Sequence, residues 1–509
     1  MILPLLFLIQ SFSADETLPA SHQNVCFGYE KSCNKPPFIP KSSSMHQSCK
    51  ISTTTPERQG NRSVQTLYKM YDLYQDFGFV KKKLDNLHPI SSKMNCTNHL
   101  RLCTGTDLHI KFKDFKNSGD TYNQDSISQI NTICDDDDCN QSVDFKFIKR
   151  NNDHKGALQS WGVEFQSFST VSNPQCDHVF NSNVIMLKID AGINMYHHFC
   201  DFVNLYISQH LIQDFSLDTQ IIVWQPGGSY WSYFSDILQK HHVFTRKPTI
   251  HLTELSGKNV CFKKQVTFPF LSRQRFGFYY NMPGVFGCKK SSIFKAFSEH
   301  VKFRMGLELD IPVDECKVTF LSRGTWRKNG GKYARLVSNE DSLLDHAEKY
   351  FPNCTFEKVI FDRSVSFYDQ VKKVSKSSLF ISMHGSGLTH LLFLADSAKV
   401  IELWNCEDRE CYKDLANLRG VDYFTWTDIL TEKEKDGENF EISGKTLNPQ
   451  YVAPGIFPID YKKHPKHPEN QKFWNFQFEK KKFIKLLKKA MPEHYYKKPV
   501  SVDKVNFEL

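Results

Sequence analysis

No Cys-x-x-Cys occurs anywhere in the 509 residues, which excludes zinc ribbons and thioredoxin-type chemistry. Past the N-terminus no stretch approaches ~18 uninterrupted apolar residues, so the mature chain is expected to be soluble. The net charge of +9 comes without a zinc-finger, homeodomain or basic-zipper pattern, and alone it does not argue for a nucleic-acid partner. No internal repeat of fixed period stands out. The hydrophobic segment Met1-Ile-Leu-Pro-Leu-Leu-Phe-Leu-Ile-Gln-Ser-Phe-Ser-Ala14 carries no Lys or Arg. It is too short to span a membrane comfortably, and its small-x-small pair Ser11 and Ser13 suits signal peptidase.

Aromatic and cysteine residues are present in quantity. Aromatics make up 14% of the chain, with 42 Phe, which favours a dense interior over disorder. The length suffices for two or three domains. Charge is uneven, with an acidic run at Asp135 to Asp138 and lysines crowded near the C-terminus, where they read as a solvated helix face. Among 15 cysteines, Cys26 and Cys33, Cys96 and Cys103, Cys134 and Cys139, and Cys406 and Cys411 are spaced as short disulfide loops of an oxidising compartment. Glycosylation acceptors stand at Asn61, Asn95, Asn140 and Asn353, consistent with secretion. The chain ends Asn506-Phe507-Glu508-Leu509, a degenerate form of the tetrapeptide that retrieves residents of the endoplasmic reticulum lumen, which is the expected location.

The expected organisation is a signal peptide over 1–13 and a cysteine-rich extension over 14–150. Two strand–helix blocks follow over 151–310 and 311–455, then a basic tail over 456–509. In the first block Val184 to Ile189, Ile221 to Trp224 and Gln265 to Leu271 read as strands and Tyr196 to Leu211 as a helix. In the second, strands are expected at Val318 to Ser322, Glu357 to Phe361, Leu379 to Met383, Val400 to Leu403 and Val421 to Trp426. Helices there cover Asn339 to Tyr350 and Val365 to Ser375. Strands alternating with helices imply parallel sheets covered on both faces. Two Rossmann-like domains facing a cleft, an α/β GT-B-like fold, are therefore expected. Phe476 to Met491 reads as an amphipathic helix packed back on the body.

Three constellations carry chemistry. Leu379 to Met383 ends at His384-Gly385-Ser386-Gly387, and an apolar helical run starts at Leu388. Such a turn aims backbone N–H groups and the positive end of a helix at an anion such as a diphosphate, although a plain tight turn has the same pattern. Glu402, near the end of the next strand, is placed to accept the hydroxyls of a ribose. The second constellation follows Asp190-Ala-Gly192: on a helix His197 and Asp201 are i, i+4 and His198 and Asp201 are i, i+3, an oriented acid/base pair. His197 and His198 diverge by about 100°, so they do not both address one metal. The third is arginine: Arg323 leaves a strand end, Arg327 and Arg335 follow in its loop, and Arg273 and Arg275 follow an extended run in the first block. Guanidinium forks bind phosphate bidentately and compensate a leaving diphosphate without a metal.

Several long words then stand in order: Cys26-Phe-Gly-Tyr-Glu-Lys-Ser-Cys33, Leu158-Gln-Ser-Trp161, Asp190-Ala-Gly-Ile-Asn-Met-Tyr-His-His-Phe-Cys-Asp-Phe-Val-Asn-Leu-Tyr206, Met383-His-Gly-Ser-Gly-Leu-Thr-His-Leu-Leu-Phe-Leu394 and Asn405-Cys-Glu-Asp-Arg-Glu-Cys-Tyr412. Over most of residues 26–430 the chain resembles the EGF domain-specific O-linked N-acetylglucosamine transferases. Only the His-Gly-x-Gly-Leu-Thr word is shared more widely, with plant xylosyltransferases and a protein O-mannose N-acetylglucosaminyltransferase.

The resemblance implies an inverting transfer of N-acetylglucosamine from UDP-GlcNAc to Ser or Thr of folded EGF-like repeats in the endoplasmic reticulum lumen. The family's Asp-Phe-Ile/Val triplet, needed for full activity, falls on Asp201-Phe202-Val203. Its retention word falls on Asn506 to Leu509, where two of four letters differ. The loop from Arg323 to Arg335 departs from the family's Arg-Ser-x-x-Tyr-Arg-Lys spacing, which leaves open whether Arg327 or Arg335 is the second arginine. The expected step is direct displacement, with Asp201 or a histidine it orients as base. Ser386 to Leu388 and Arg323 receive the diphosphate, and Glu402 holds the ribose. The Asp-Phe-Val word lacks the paired carboxylates of an Asp-x-Asp site, so no cofactor and no obligatory metal are expected. A lumenal EGF-repeat-binding pseudoenzyme, a transferase using UDP-xylose, and a metallohydrolase on His197, His198 and Asp201 are the alternatives.

Overall fold

The computed structural model describes residues 87–496, apart from 92, 115–126, 134–143, 145, 149–157, 159, 166, 191–193, 213, 225–235, 272–291, 309–314, 325–333, 363, 407–410, 432–452 and 460–470. The first strands are β1 (His88–Ser91), β2 (Met94–Cys96), β3 (Cys103–Gly105), β4 (Leu108–Phe112) and β5 (Ile127–Ile133). They are followed by β6 (Phe168–Val171), β7 (His178–Phe180), β8 (Val184–Lys188), β9 (Gln220–Trp224), β10 (Ile250–His251), β11 (Asn259–Phe262) and β12 (Val266–Phe268). They build a seven-stranded sheet ordered β1-β2-β3-β12-β8-β9-β10 and a five-stranded sheet ordered β6-β5-β4-β11-β7.

In the larger sheet β12, β8, β9 and β10 are parallel, while β3, β2 and β1 continue it as an antiparallel meander. The strands of β8 and β9 are buried along their whole length, as continuous apolar runs covered on both faces must be. Strands β1 to β5, which precede residue 150, are hydrogen-bonded into the sheets of the following block. They escape a reading by apolar runs because they are short and alternate with exposed residues.

Helix α1 (Met195–Ile212) follows β8; α2 (Asp236–Gln239) and α3 (Ser292–Arg304) come later. Fifteen of the residues of α1 are buried, nearly all round its circumference, the pattern of a helix enclosed on every side. Phe199 packs edge-on to Phe297 and Phe393 and tilted against Phe367, so a single apolar core runs through both halves.

The second half is a purely parallel sheet of β13 (Cys316–Ser322), β14 (Cys354–Ile360), β15 (Leu379–Ser382), β16 (Lys399–Glu402) and β17 (Asp422–Thr425), in the order β14-β13-β15-β16-β17. Crossovers are α4 (Glu340–Tyr350), α5 (Phe367–Ser375), a 3₁₀ helix at Ser386–Phe393 and α6 (Cys411–Arg419). This is doubly wound topology, and its strand order reverses between β13 and β15. Ligands in such sheets bind outside the strand C-termini at that reversal.

The tail differs from a single helix from Phe476. Phe476–Phe478 is β19, paired antiparallel with β18 (Ile456–Pro458), and α7 (Lys480–Ala490) begins only after it. The helix does pack back on the body through Phe483, Ile484, Leu486 and Leu487. Its lysines do more than face solvent: Lys485 and Lys489 donate to the carbonyls of Ile429 and Asp428.

Three disulfides are present among the described residues: Cys96–Cys103, Cys176–Cys261 and Cys316–Cys354. Only the first was legible by spacing. The expected pairing of Cys406 with Cys411 is overturned, since Cys406 is free and buried. Cys26, Cys33, Cys134 and Cys139 lie outside the described residues.

Candidate active site

Two strand ends meet at the reversal point of the parallel sheet. Chain leaving β13 delivers Arg323, and chain leaving β15 delivers His384 and Gly385. Gly385 sits at φ 154°, ψ 169°, a region open only to glycine. A Cβ there would lie 2.2 Å from Nη1 of Arg323 and 3.9 Å from Nη2 of Arg335. Bare backbone is therefore what lets two guanidiniums converge on one turn. Arg323 is aimed by its Nε, which donates to the Ala334 carbonyl at 2.9 Å. Arg335 is held at a positive φ of 63° with its N–H donating to the Trp474 carbonyl at 2.7 Å. Its Nε has no hydrogen-bond partner among the described residues. Like charges brought together around an anion-facing turn make a site for a phosphate or diphosphate.

The turn itself follows from the Gly-x-Gly word. A Cβ on Gly387 would come 2.7 Å from the Leu321 side chain, so the second glycine permits close packing on β13. The amide of Leu388 is not available to a ligand, because it donates to the Gly385 carbonyl at 2.9 Å and its side chain is buried. The amides of Ser386 and Gly387 remain at the helix start.

His384 faces inward. Its Nδ1 lies 2.6 Å from Oε1 of Glu402, and the Tyr423 hydroxyl donates to Oε2 of the same carboxylate. Thr425 Oγ1 donates to the Glu402 carbonyl at 2.7 Å. Glu402 is fully buried, and both of its carboxylate oxygens are hydrogen-bonded inside the protein. Burial, reinforced by the adjacent Glu402 carboxylate, pushes the Tyr423 hydroxyl well above its usual range. Glu340, at the start of α4, was missed. It hydrogen-bonds Ser322 at the end of β13, yet burial holds its carboxyl above the ordinary value.

The second constellation rearranges the expected pair. His197 Nδ1 is 2.7 Å from Oδ2 of Asp190, a residue before the helix. Asp201 is 1% exposed, and its Oδ2 accepts the backbone N–H of Asp190 at 2.8 Å. Asp201 therefore fixes Asp190, and Asp190 orients His197. His198 is buried with its ring edge toward Phe202, while Phe202 and Val203 are core residues. Thus His197, His198 and Asp201 do not converge as a metal set. Behind this group Lys188, at the end of β8, forms a fully buried ion pair with Glu164 at 3.0 Å. The Lys188 ammonium lies 4.5 Å over the Trp224 ring. Spacing within the helix could not reveal Asp190 as the partner, because it is brought in by the loop.

Aromatic rings join the two constellations. Tyr196 meets the His197 ring at 6.1 Å and the Tyr412 ring at 5.6 Å, and Tyr412 meets His384 at 5.4 Å, each edge-on. Arg323 and Arg335 thus converge on Gly385, and a relay of ring contacts through Tyr412 and Tyr196 links the neighbouring His384 to His197. Asn95 and Asn353 are exposed, as glycosylation acceptors must be. Asn61, Asn140, Arg273, Arg275, Arg327 and Asn506 to Leu509 lie outside the described residues. Among the described residues no helix is long and apolar enough to cross a membrane.

Residues 195–401 match the family model Glycosyltransferase 61, a span that holds His197, Arg323, Arg335 and His384. The chain is 34% identical over 490 residues to the EGF domain-specific O-linked N-acetylglucosamine transferase of Pan troglodytes, covering 91% of this chain and 82% of that one. With the protein of the same name from Mus musculus it shares 34% over 495 residues, covering 94% and 84%. With that from Drosophila melanogaster it shares 33% over 510 residues, covering 96% and 87%.

Proposed function

The chain belongs to the family of EGF domain-specific O-linked N-acetylglucosamine transferases, and on that premise we propose that its site transfers N-acetylglucosamine from UDP-GlcNAc to Ser or Thr of EGF-like repeats. The observation that carries the reading is the convergence of Arg323 and Arg335 on Gly385. It lies across the Tyr196–Tyr412 contact from an oriented histidine. The half built on mixed sheets and the half built on the parallel sheet then act as the lobes of a GT-B-like transferase, working in the endoplasmic reticulum lumen.

In this mechanism Asp190 accepts a hydrogen bond from the Nδ1–H of His197, a tautomer that puts the lone pair on Nε2, the base. Nε2 takes the proton of the acceptor hydroxyl while that oxygen forms a bond to the sugar anomeric carbon. The bond from this carbon to the diphosphate oxygen breaks in the same step, its electron pair leaving with UDP. One in-line displacement inverts the anomeric configuration. Arg323, Arg335 and the amides of Ser386 and Gly387 meet the charge that develops on the diphosphate. Asp190 stabilises the imidazolium formed on His197. No obligatory metal is assigned, because the two guanidiniums supply the compensation.

The test is mass spectrometry of a folded EGF repeat after incubation with the protein and UDP-GlcNAc, UDP-glucose or UDP-xylose. Addition of one N-acetylhexosamine from UDP-GlcNAc alone is expected. Preference for another sugar overturns the donor, and no addition from any of them overturns the transferase reading.

A further inference from the structure

We propose that Tyr423 is a positioning residue for the nucleotide site, acting through Glu402 on His384. The proposal rests on the donor reading above and deepens it. Glu402 sits mid-sheet on β16, between β15 and β17, and is fully buried. A carboxylate in that place needs partners on both oxygens. His384 supplies one from the end of β15, and the Tyr423 hydroxyl supplies the other from β17. Three neighbouring strands thus each contribute one member, and Thr425 pins the Glu402 backbone from the same strand as Tyr423.

This geometry fixes the His384 ring. Nδ1 faces Glu402, so Nε2, on the opposite edge, faces away from β16. Edge contact with Tyr412 limits rotation of the ring about its axis. The next residue is Gly385, on whose bare backbone the Arg323 guanidinium rests. The Tyr423 hydroxyl is bonded to Glu402, and without it Glu402 keeps an unpaired buried oxygen and can rotate to seek another donor. His384, and the turn that follows it, would lose their fixed orientation.

A merely structural tyrosine would act independently of His384, which a double-mutant cycle detects. UDP binding is measured by isothermal titration calorimetry for the wild type, Tyr423→Phe, His384→Gln and the double variant. Tyr423→Phe is expected to weaken UDP about tenfold in the wild-type background and less than about twofold in the His384→Gln background. Equal losses in both backgrounds, or no loss in the first, overturn the proposal. Should Tyr423→Phe fail to fold, the isosteric Glu402→Gln is carried through the same cycle with the same expected and contrary results. The same preparations are assayed for sugar transfer to an EGF repeat. Coupled UDP binding without transfer sinks the acceptor reading and leaves this one standing. Transfer with uncoupled binding does the reverse, and no UDP affinity in the wild type sinks both.

Discussion

Among the described residues stand two histidine–carboxylate pairs of nearly identical geometry in opposite surroundings. His197 and Asp190 meet at 2.7 Å with side chains 15% and 6% exposed, whereas His384 and Glu402 meet at 2.6 Å with 6% and 0%. The first carboxylate has its backbone held by Asp201 and presents a histidine with access to solvent. The second is clamped on its far side by a tyrosine and presents a histidine to a turn lined by arginines. Distance alone does not assign a role. The open pair can exchange a proton with an incoming alcohol, and the sealed pair can hold a shape around a fixed charge.

Breaking the open pair should have the largest effect. His197→Gln is expected to lower kcat by about 10³-fold, with the KM for UDP-GlcNAc changed much less. Steady-state kinetics with both substrates varied checks this, and a variant that instead lost donor affinity would exchange the roles of the two pairs. A smaller loss is expected one step removed. Asp201→Asn keeps an oxygen for the Asp190 N–H, so kcat should fall only about tenfold. A loss as deep as that of His197→Gln would restore Asp201 as the base.

The smallest effect tests the sealed pair by stability. The Tyr423 hydroxyl is pushed up in the folded chain by burial and by Glu402. Above pH ~10 the unfolded tyrosine loses its proton while the folded one keeps it. Stability from this group is therefore complete below that pH and declines as the pH rises toward the folded value. Urea melts from pH 8 to 11 should show a steeper alkaline loss for the wild type than for Tyr423→Phe. Parallel curves would mean that the hydroxyl is not sealed against Glu402.

How much of this was legible in the sequence depended on whether local pattern or sheet neighbours decided the outcome. Strands β13, β15 and β16 are built on apolar runs closed by polar or glycine residues, and they form where those runs stand. Arg323 and the His384 to Gly387 turn were legible for the same reason, each following such a run. The place of Glu402 near a strand end was legible, but not its burial, which its position between β15 and β17 imposes. Helical spacing correctly put Asp201 on one face with His197. It could not show that this face turns toward the loop carrying Asp190, whose N–H donates to Asp201 and whose carboxylate pairs with His197.

Cysteine shows the same division. Cys96 and Cys103 are opposite each other on adjacent antiparallel strands, so closeness in sequence became closeness in space. Cys316 and Cys354 are opposite each other on parallel β13 and β14, a relation visible only once strand order is known. Their bond closes a separation of 38 residues, worth about 4 kcal/mol on the chain-entropy estimate. The spacing of Cys406 and Cys411 carried no such geometry, and Cys406 stays a buried thiol.

The division of labour between the two pairs is tested most directly by equilibrium UDP affinity of Arg323→Ala and His197→Gln, each against the wild type. Removing a charged partner of the diphosphate at Gly385 should weaken UDP by about tenfold to a hundredfold, while His197→Gln should bind UDP within about twofold of the wild type. Equal affinity for UDP in Arg323→Ala and the wild type, or a comparable loss in both variants, would contradict the account.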